Sequence, residues 1–253
     1  MRFAVLGSGS RGNATLVESG NTRILVDCGF GLRETERRLA AIDVHAASIA
    51  AIVVTHEHGD HVSGVARLAV RHGIEVWTSP GTWKAAGCPD VGRLRLFAGH
   101  GRGFRIGDLA LCPIPVPHDA REPCQLVIDG DGRRLGMLTD AGTVTRRMCD
   151  SLRDCDALML EANHDPQMLR DGPYPASLQR RVGGPFGHLS NEQAAHLLDA
   201  VDHAALKQVL LSHISAQNNR PDLAVAAMTA VDTGLHARLR VALQDQCSGW
   251  LEV

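Results

Sequence analysis

The stretch VTHEHGDHVSG, residues 54–64, places His56, His58, Asp60 and His61 within six positions. Protonated imidazoles at this spacing repel one another. Neutral imidazoles direct nitrogen lone pairs into one small volume, which makes chemical sense around a cation. On an extended chain His56 and His58 project to the same side. Gly59 permits a change of direction, and Asp60 and His61 then fall at the start of a following helix. One pair can serve one ion and the other pair a second ion a few ångströms away. The metalloprotease pattern H-E-x-x-H does not fit: Asp60 stands four residues after His56, and Gly59 and Gly64 oppose one continuous ligand-bearing helix.

Three residues far along the chain supply what the loop lacks. His118, in PIPVPHDA, follows a proline-edged strand. Asp140, in GMLTDAG, closes a buried strand, where a carboxylate is costly unless paired or metal-bound, and its two oxygens can bridge two cations. His213, in QVLLSHIS, ends another apolar strand. Each alone reads equally well as a satisfied polar strand end. Together, behind the histidine-rich loop, they read as ligands.

The elements that must carry these residues are legible from hydrophobic period. FAVL, ATLVES and RILVDCG are expected strands joined by a glycine-rich loop and a GN hairpin turn. IAAIVVT is an expected buried strand leading into the loop, and VSGVARLAVRHG an expected helix ending at Gly73. Strand-rich sequence fills roughly 93 to 140. Helices are expected over LRETERRLAAI, TVTRRMCDSLRDC, SNEQAAHLLDAV (opened by Ser190 with Glu192 nearby) and PDLAVAAMTAV. ALMLEAN, QVLLSHI and ARLRVAL are further strands. Residues 165 to 190 show no clear period and are expected to form a flap or surface insertion. Strand-rich halves flanked by helices imply two stacked sheets inside helical layers.

The chain has 253 residues, 44% of them hydrophobic, which suits a single domain over 1–253. A formal net charge of −2 gives no global positive field. Arginine dominates the basic residues, with Lys84 and Lys207 the only lysines; arginine suits phosphate binding, and a coding bias explains the excess equally simply. Seven scattered cysteines without a C-x-x-C pair argue against a disulfide framework or zinc knuckle. MRFAVLGSGSRGN reaches glycine too early for a signal-peptide core, and no apolar run reaches membrane-spanning length. A soluble, cytoplasmic protein is expected; its oligomeric state is not legible.

With Asp27 in ILVDCG, the loop, His118, Asp140 and His213 in this order, nearly the whole chain resembles the metallo-β-lactamase superfamily. Within it the chain is most similar to the WalJ/YycJ group, related to the RNase Z and PhnP phosphodiesterases. LGSGSRGNAT, VTHEHGDH, PVPHDAREP, LTDAG, LEANHD, GHLSNEQAA and SHISAQNN carry the resemblance; SHISAQNN departs in lacking an acidic residue before its Asn pair. The resemblance implies an α/β four-layer αββα sandwich with ions at one edge of the sheets. It implies a phosphodiesterase, a nuclease acting on DNA, with RNA left open. His56, His58 and His118 would hold one ion, Asp60, His61 and His213 a second, and Asp140 would bridge them. Zinc suits the imidazole-rich set; manganese or iron also fits. A metal-bound hydroxide would attack phosphorus, with Asp60 counted as a catalytic group as well as a ligand.

Asp27 would orient a ligand or the loop from behind it, or simply cap a strand end. His188, in a G-H context like that of RNase Z and PhnP, would stabilise charge at phosphorus or protonate the leaving oxygen. Glu161 would orient His188 or His164. His164 lines the pocket or is a hydrogen-bonded strand-end histidine. Ser10 and Asn13 are candidate substrate contacts, and Arg180 and Arg181 reach a phosphate backbone or are solvated charges. His45, His72, His100, His196, His203 and His236 need no role. The alternative from the same fold is a small-molecule hydrolase, a cyclic phosphodiesterase or lactonase. A non-enzymatic metal-binding relative is disfavoured, since no expected ligand is missing.

Overall fold

A computed structural model describes residues 1–98, 101–202, 204–231 and 237–253. His100, His203 and His236 lie outside these residues. Among the described residues, the first sheet contains β1 (Arg2–Gly7), β2 (Ala14–Ser19), β3 (Thr22–Val26), β4 (Ala51–Val53), β5 (Glu75–Thr78) and β6 (Leu94–Leu96). The second contains β7 (Phe104–Ile106), β8 (Leu109–Pro115), β9 (Cys124–Gly130), β10 (Arg133–Leu138), β11 (Ala157–Glu161), β12 (Gln208–Ser212) and β13 (Leu239–Val241). A short β14 (Leu251–Glu252), not expected from the sequence, pairs antiparallel with β1 at the edge of the first sheet.

Both sheets repeat one plan. The strand orders are β14-β1-β2-β3-β4-β5-β6 and β13-β12-β11-β10-β9-β8-β7. In each, an antiparallel meander hands over to a parallel run: β3–β4–β5–β6 in one, β10–β11–β12–β13 in the other. Strand period 2 explains the layering. Val5, Ile24 and Val53 of the first sheet meet Leu126, Met137, Met159 and Leu210 of the second in a shared core. Their neighbours Leu6, Leu25 and Ile52 face outward, against Leu39 of α1 (Leu32–Ala40) and Leu68 of α3 (Val65–His72). Leu158, Leu160, Val209 and Leu211 face the other way, against α5 (Arg146–Leu152), α8 (Asn191–Val201) and α9 (Pro221–Val231). With both faces covered, the parallel strands read as near-continuous apolar runs. The result is the expected αββα sandwich.

Local departures have physical causes. The helix expected over 62–73 is split into a single turn, α2 (Gly59–Val62), and α3, with Gly64 between them. A Cβ at Gly64 would sit 1.9 Å from the Phe30 carbonyl oxygen, so the break lets two backbones touch. A short α4 (Pro80–Ala85) follows β5. Residues 165–190 fold into α6 (Pro166–Asp171) and α7 (Ala176–Val182); the Asp165 side chain accepts from the Gln167 and Met168 amides and starts α6. The capping box of α8 joins Ser190 to Gln193, not to Glu192.

Candidate metal centre

The C-terminal ends of the parallel strands converge on one edge of the sandwich, where α/β sheets present their ligand sites. Asp27 follows β3, His56 lies just beyond β4, Asp140 beyond β10, Glu161 ends β11 and His213 follows β12. Asp27, Asp140 and His213 have left-handed backbones, with φ of 60°, 55° and 52°. Aspartate and histidine tolerate this region better than most residues, and it turns each side chain off its strand into the common volume. Gly29 locks the loop beneath: a Cβ there would lie 1.8 Å from the Asp60 carbonyl oxygen.

All seven expected ligands come together. Single donor atoms of His56, His58 and His118 lie within 4.8 Å of one another, as do those of Asp60, His61 and His213, and those of His56, His61 and Asp140. Each histidine's other nitrogen is occupied. His118 Nδ1 donates to the Gly187 carbonyl at 2.9 Å and His58 Nε2 to that of Asp119 at 3.2 Å. This leaves His118 Nε2 and His58 Nδ1 facing each other at 3.1 Å as two lone pairs. Thr55 Oγ1 donates to Asp27 Oδ2 at 2.8 Å and accepts from His56 Nδ1 at 3.0 Å. His61 Nδ1 donates to Asp27 Oδ2 at 2.8 Å, so His61 Nε2 faces Asp140 Oδ2, 3.2 Å away, with Asn13 Nδ2 beside it at 3.1 Å. His213 Nδ1 lies 3.1 Å from Glu161 Oε1.

This donor set fits divalent cations. His56 Nε2, His213 Nε2 and Asp140 Oδ2 are buried without a hydrogen-bond partner, a costly state. The lone pairs of His118 and His58, opposed at 3.1 Å, are repulsive until a positive charge lies between them. Imidazole with two carboxylates suits zinc, manganese or iron.

The electrostatics divide the site. Burial pushes the His56 and His118 imidazoles below their usual range. Burial opposes charge on His61 as well, but the Asp140 and Asp27 carboxylates overcome it and raise His61 well above the ordinary value. His213 is likewise held up at about 10 against burial, by Asp140, Asp60 and Glu161. Burial would raise Asp140, yet His213 and His61 hold it well below the carboxylate range. The half-site with Asp60, His61 and His213 thus attracts positive charge strongly, whether proton or metal.

Glu161 is fully buried and works on two sides. Its Oε2 accepts from the Ala141 amide at 3.0 Å and the Leu189 amide at 3.1 Å. Its Oε1 accepts from His188 Nδ1 at 2.7 Å as well as facing His213 Nδ1. His188, Asp60, Asp140, His213 and Ser10 line a cavity of about 330 Å³ over the cluster.

The expectation for Asn13 needs correction, while His164 and Arg180 take the scaffold and solvent sides of alternatives the sequence left open. Asn13 is buried and turned inward, its Nδ2 donating to Asp60 Oδ2 at 3.2 Å, and it does not line the cavity. It steadies a ligand. His164 is also buried and outside the lining, and burial lowers it to about 4; it sits on a bridge with Ser190, as a strand-end histidine, and Glu161 bonds His188 rather than His164. Arg180 is exposed and off the cavity, whereas Arg181 lines it and pairs with Asp119. Sequence reasoning missed Thr55, Asp119 and Tyr174. Thr55 and Asp119 adjoin His56 and His118, and Tyr174 is the chain's single tyrosine; adjacency and rarity were the available signals.

The chain matches the β-lactamase superfamily domain over residues 22–214. It is 34% identical over 236 residues to Exodeoxyribonuclease YycJ of Bacillus anthracis, covering 91% of this chain and 89% of that protein. It is 33% identical over 248 residues to Exodeoxyribonuclease WalJ of Streptococcus pneumoniae, covering 96% and 91%. Among solved structures, the metallo-β-lactamase fold protein YhfI from Bacillus subtilis superposes with a TM-score of 0.75 at 14% identity, over 97% of this chain and 98% of that one. The chain belongs to the β-lactamase superfamily, in its YycJ/WalJ branch. It is a metal-dependent hydrolase. No helix among the described residues is long and apolar enough to cross a membrane.

Proposed function

We propose that residues 1–253 form one catalytic unit, a two-metal phosphodiesterase that shortens DNA from an end. His56, His58 and His118 would hold one ion, Asp60, His61 and His213 the other, with Asp140 shared. The observation that carries this reading is the trio of buried, unpartnered donor atoms, His56 Nε2, His213 Nε2 and Asp140 Oδ2, in a chain a third identical to two proteins named exodeoxyribonucleases. When bound, paired divalent ions supply a water-derived nucleophile near neutral pH and offset charge on phosphoryl oxygens.

The chain's own groups do the rest. Asp27 fixes the tautomers of His61 directly and of His56 through Thr55, so both present Nε2. Asp60 accepts the proton of the attacking water. His188 keeps Nδ1 on Glu161 and presents its other ring nitrogen to the cavity, where it delivers a proton to the leaving oxygen. Glu161, held near 2 against burial by His188 and His213, stays ionised and stabilises the His188 imidazolium. Seven scattered cysteines without a C-x-x-C pair suit a reducing compartment, and we place the enzyme in the cytoplasm.

The test is digestion of 5′- and 3′-end-labelled single- and double-stranded DNA and RNA by metal-reconstituted protein. Stepwise shortening of DNA from one end supports the reading. Hydrolysis confined to lactones or cyclic phosphodiesters contradicts it.

A further inference from the structure

The cavity over the metal cluster has two unlike walls. One is the polar wall of His58, Asp60, Asp140, His188 and His213; the other is Tyr174, Leu178 and Val182. Leu178 and Val182 lie one turn apart on α7 and share a face. None of the seven residues of α7 is buried, and neither Leu178 nor Val182 joins any of the three hydrophobic cores. The apolar stripe of this helix is therefore not spent on folding. Its neighbour Arg181 also lines the cavity and pairs with Asp119, whose carboxylate lies 3.6 Å from both His58 Nε2 and His118 Nε2. That pair ties the apolar wall to the metal loop.

A ligand matching both walls carries an anion at one end and a flat apolar body at the other. About 330 Å³ lies at the small end of the ~300–1,000 Å³ range of ligand pockets, which suits one nucleotide and excludes a duplex. We infer that Tyr174, backed by Leu178 and Val182, forms a nucleobase subsite in which the terminal base of a single strand lies against the tyrosine ring while its phosphate faces the cluster. This inference rests on the nuclease reading above. Every base has a π-face, so a subsite built on stacking against the tyrosine tolerates all four. It makes Tyr174 a substrate-positioning residue.

The test compares steady-state kinetics of metal-reconstituted wild type, Tyr174→Ala, Tyr174→Phe and Ser177→Ala on single-stranded oligonucleotides, each with an intact or an abasic last nucleotide. Ser177 is exposed on α7 and controls for disturbance of the helix. Tyr174→Ala is expected to raise KM roughly 5- to 100-fold on intact substrate, by the usual worth of a base–aromatic stack, with kcat nearly unchanged. Tyr174→Phe and Ser177→Ala are expected to match wild type. Wild type should lose the same factor on the abasic substrate, and Tyr174→Ala should lose nothing further. Wild type indifferent to the missing base, or Tyr174→Ala with unchanged KM, overturns the subsite and leaves the nuclease reading intact. Wild type inert on every oligonucleotide overturns both.

Discussion

Asp27 Oδ2 lies 2.8 Å from His61 Nδ1 and also 2.8 Å from the Thr55 hydroxyl that holds His56. One buried carboxylate thereby sets the tautomers of two candidate ligands, His61 directly and His56 through Thr55. Asp27→Asn is the sharpest probe. Asparagine tolerates the left-handed backbone and keeps an acceptor for the Thr55 amide. Its Nδ2 is a donor, however, and drives the His61 proton to Nε2. The expected outcome is a folded protein with melting temperature close to wild type and metal affinity reduced roughly 10- to 100-fold. Asp27→Ala should also lose stability, by about 3 kcal/mol, because three buried donors lose their acceptor. Metal content and calorimetric melting of the two variants decide the matter; equal metal loading in Asp27→Asn would show that the tautomer is set elsewhere.

Glu161 and His188 should behave as one unit. His188→Ala and Glu161→Gln are each expected to lower kcat about 10²–10⁴-fold, the usual range for a proton-transfer group. The double variant should be little worse than the worse single one, because either change breaks the same dyad. Glu161→Gln should in addition loosen the ion held by His213, whose Nδ1 it also faces. Strictly multiplicative kcat losses would separate the two residues.

The pH dependence of metal loading follows from the raised histidines. His213, lifted from 6.5 to about 10, is protonated in the metal-free protein at neutral pH, as is His61. A metal must displace those protons, so affinity at this half-site should rise with pH, about tenfold per unit for the His213 proton up to about 10. His56 and His118 are lowered and already neutral, so an ion held there should release few protons above neutrality. Calorimetric titration in buffers of different ionisation enthalpy measures the difference; equal proton release for the two ions would contradict it. In the metal-free fold the signs run oppositely for the two kinds of group. Stability from His213 is complete below about 6.5 and lost as pH rises through about 10. Stability from Glu161 is present above about 4.5 and lost as pH falls toward about 2.

Much of the candidate site was legible because potential ligands are chemically conspicuous. Four of them occupy one loop, and Asp140 and His213 end apolar strands where a charge needs a reason. The period of β11 and β12 gave their strands, although not the outward and inward faces that split Leu158 and Leu160 from Met159. Asn13 was misplaced, and His164 left open between pocket and strand end, because a polar residue beside a motif looks alike whether it faces the substrate or the scaffold; only burial separates them. α6 and α7 escaped notice because α7 has no buried face and so no strong helical period against a core. The left-handed backbones of Asp27, Asp140 and His213 have no signature beyond residue types that permit them.

Gly29 has a steric role that one methyl group tests. Gly29→Ala places a Cβ 1.8 Å from the Asp60 carbonyl oxygen, so the loop must move. Expected effects are a fall of several degrees in melting temperature and loss of the ion bound through Asp60 and His61. Gly73→Ala, with open space at the Cβ, should keep its metal while losing modest stability to its positive φ. Gly29→Ala with full metal content would mean the loop yields without cost.

The most direct measurement is titration of metal-free protein with a divalent ion while the shortening of end-labelled single-stranded DNA is followed. Hydrolysis should remain low through the first equivalent, rise with the second, and vanish on chelation. Activity that is complete without metal, or protein holding two ions that leaves every DNA end intact, would contradict a two-metal exonuclease.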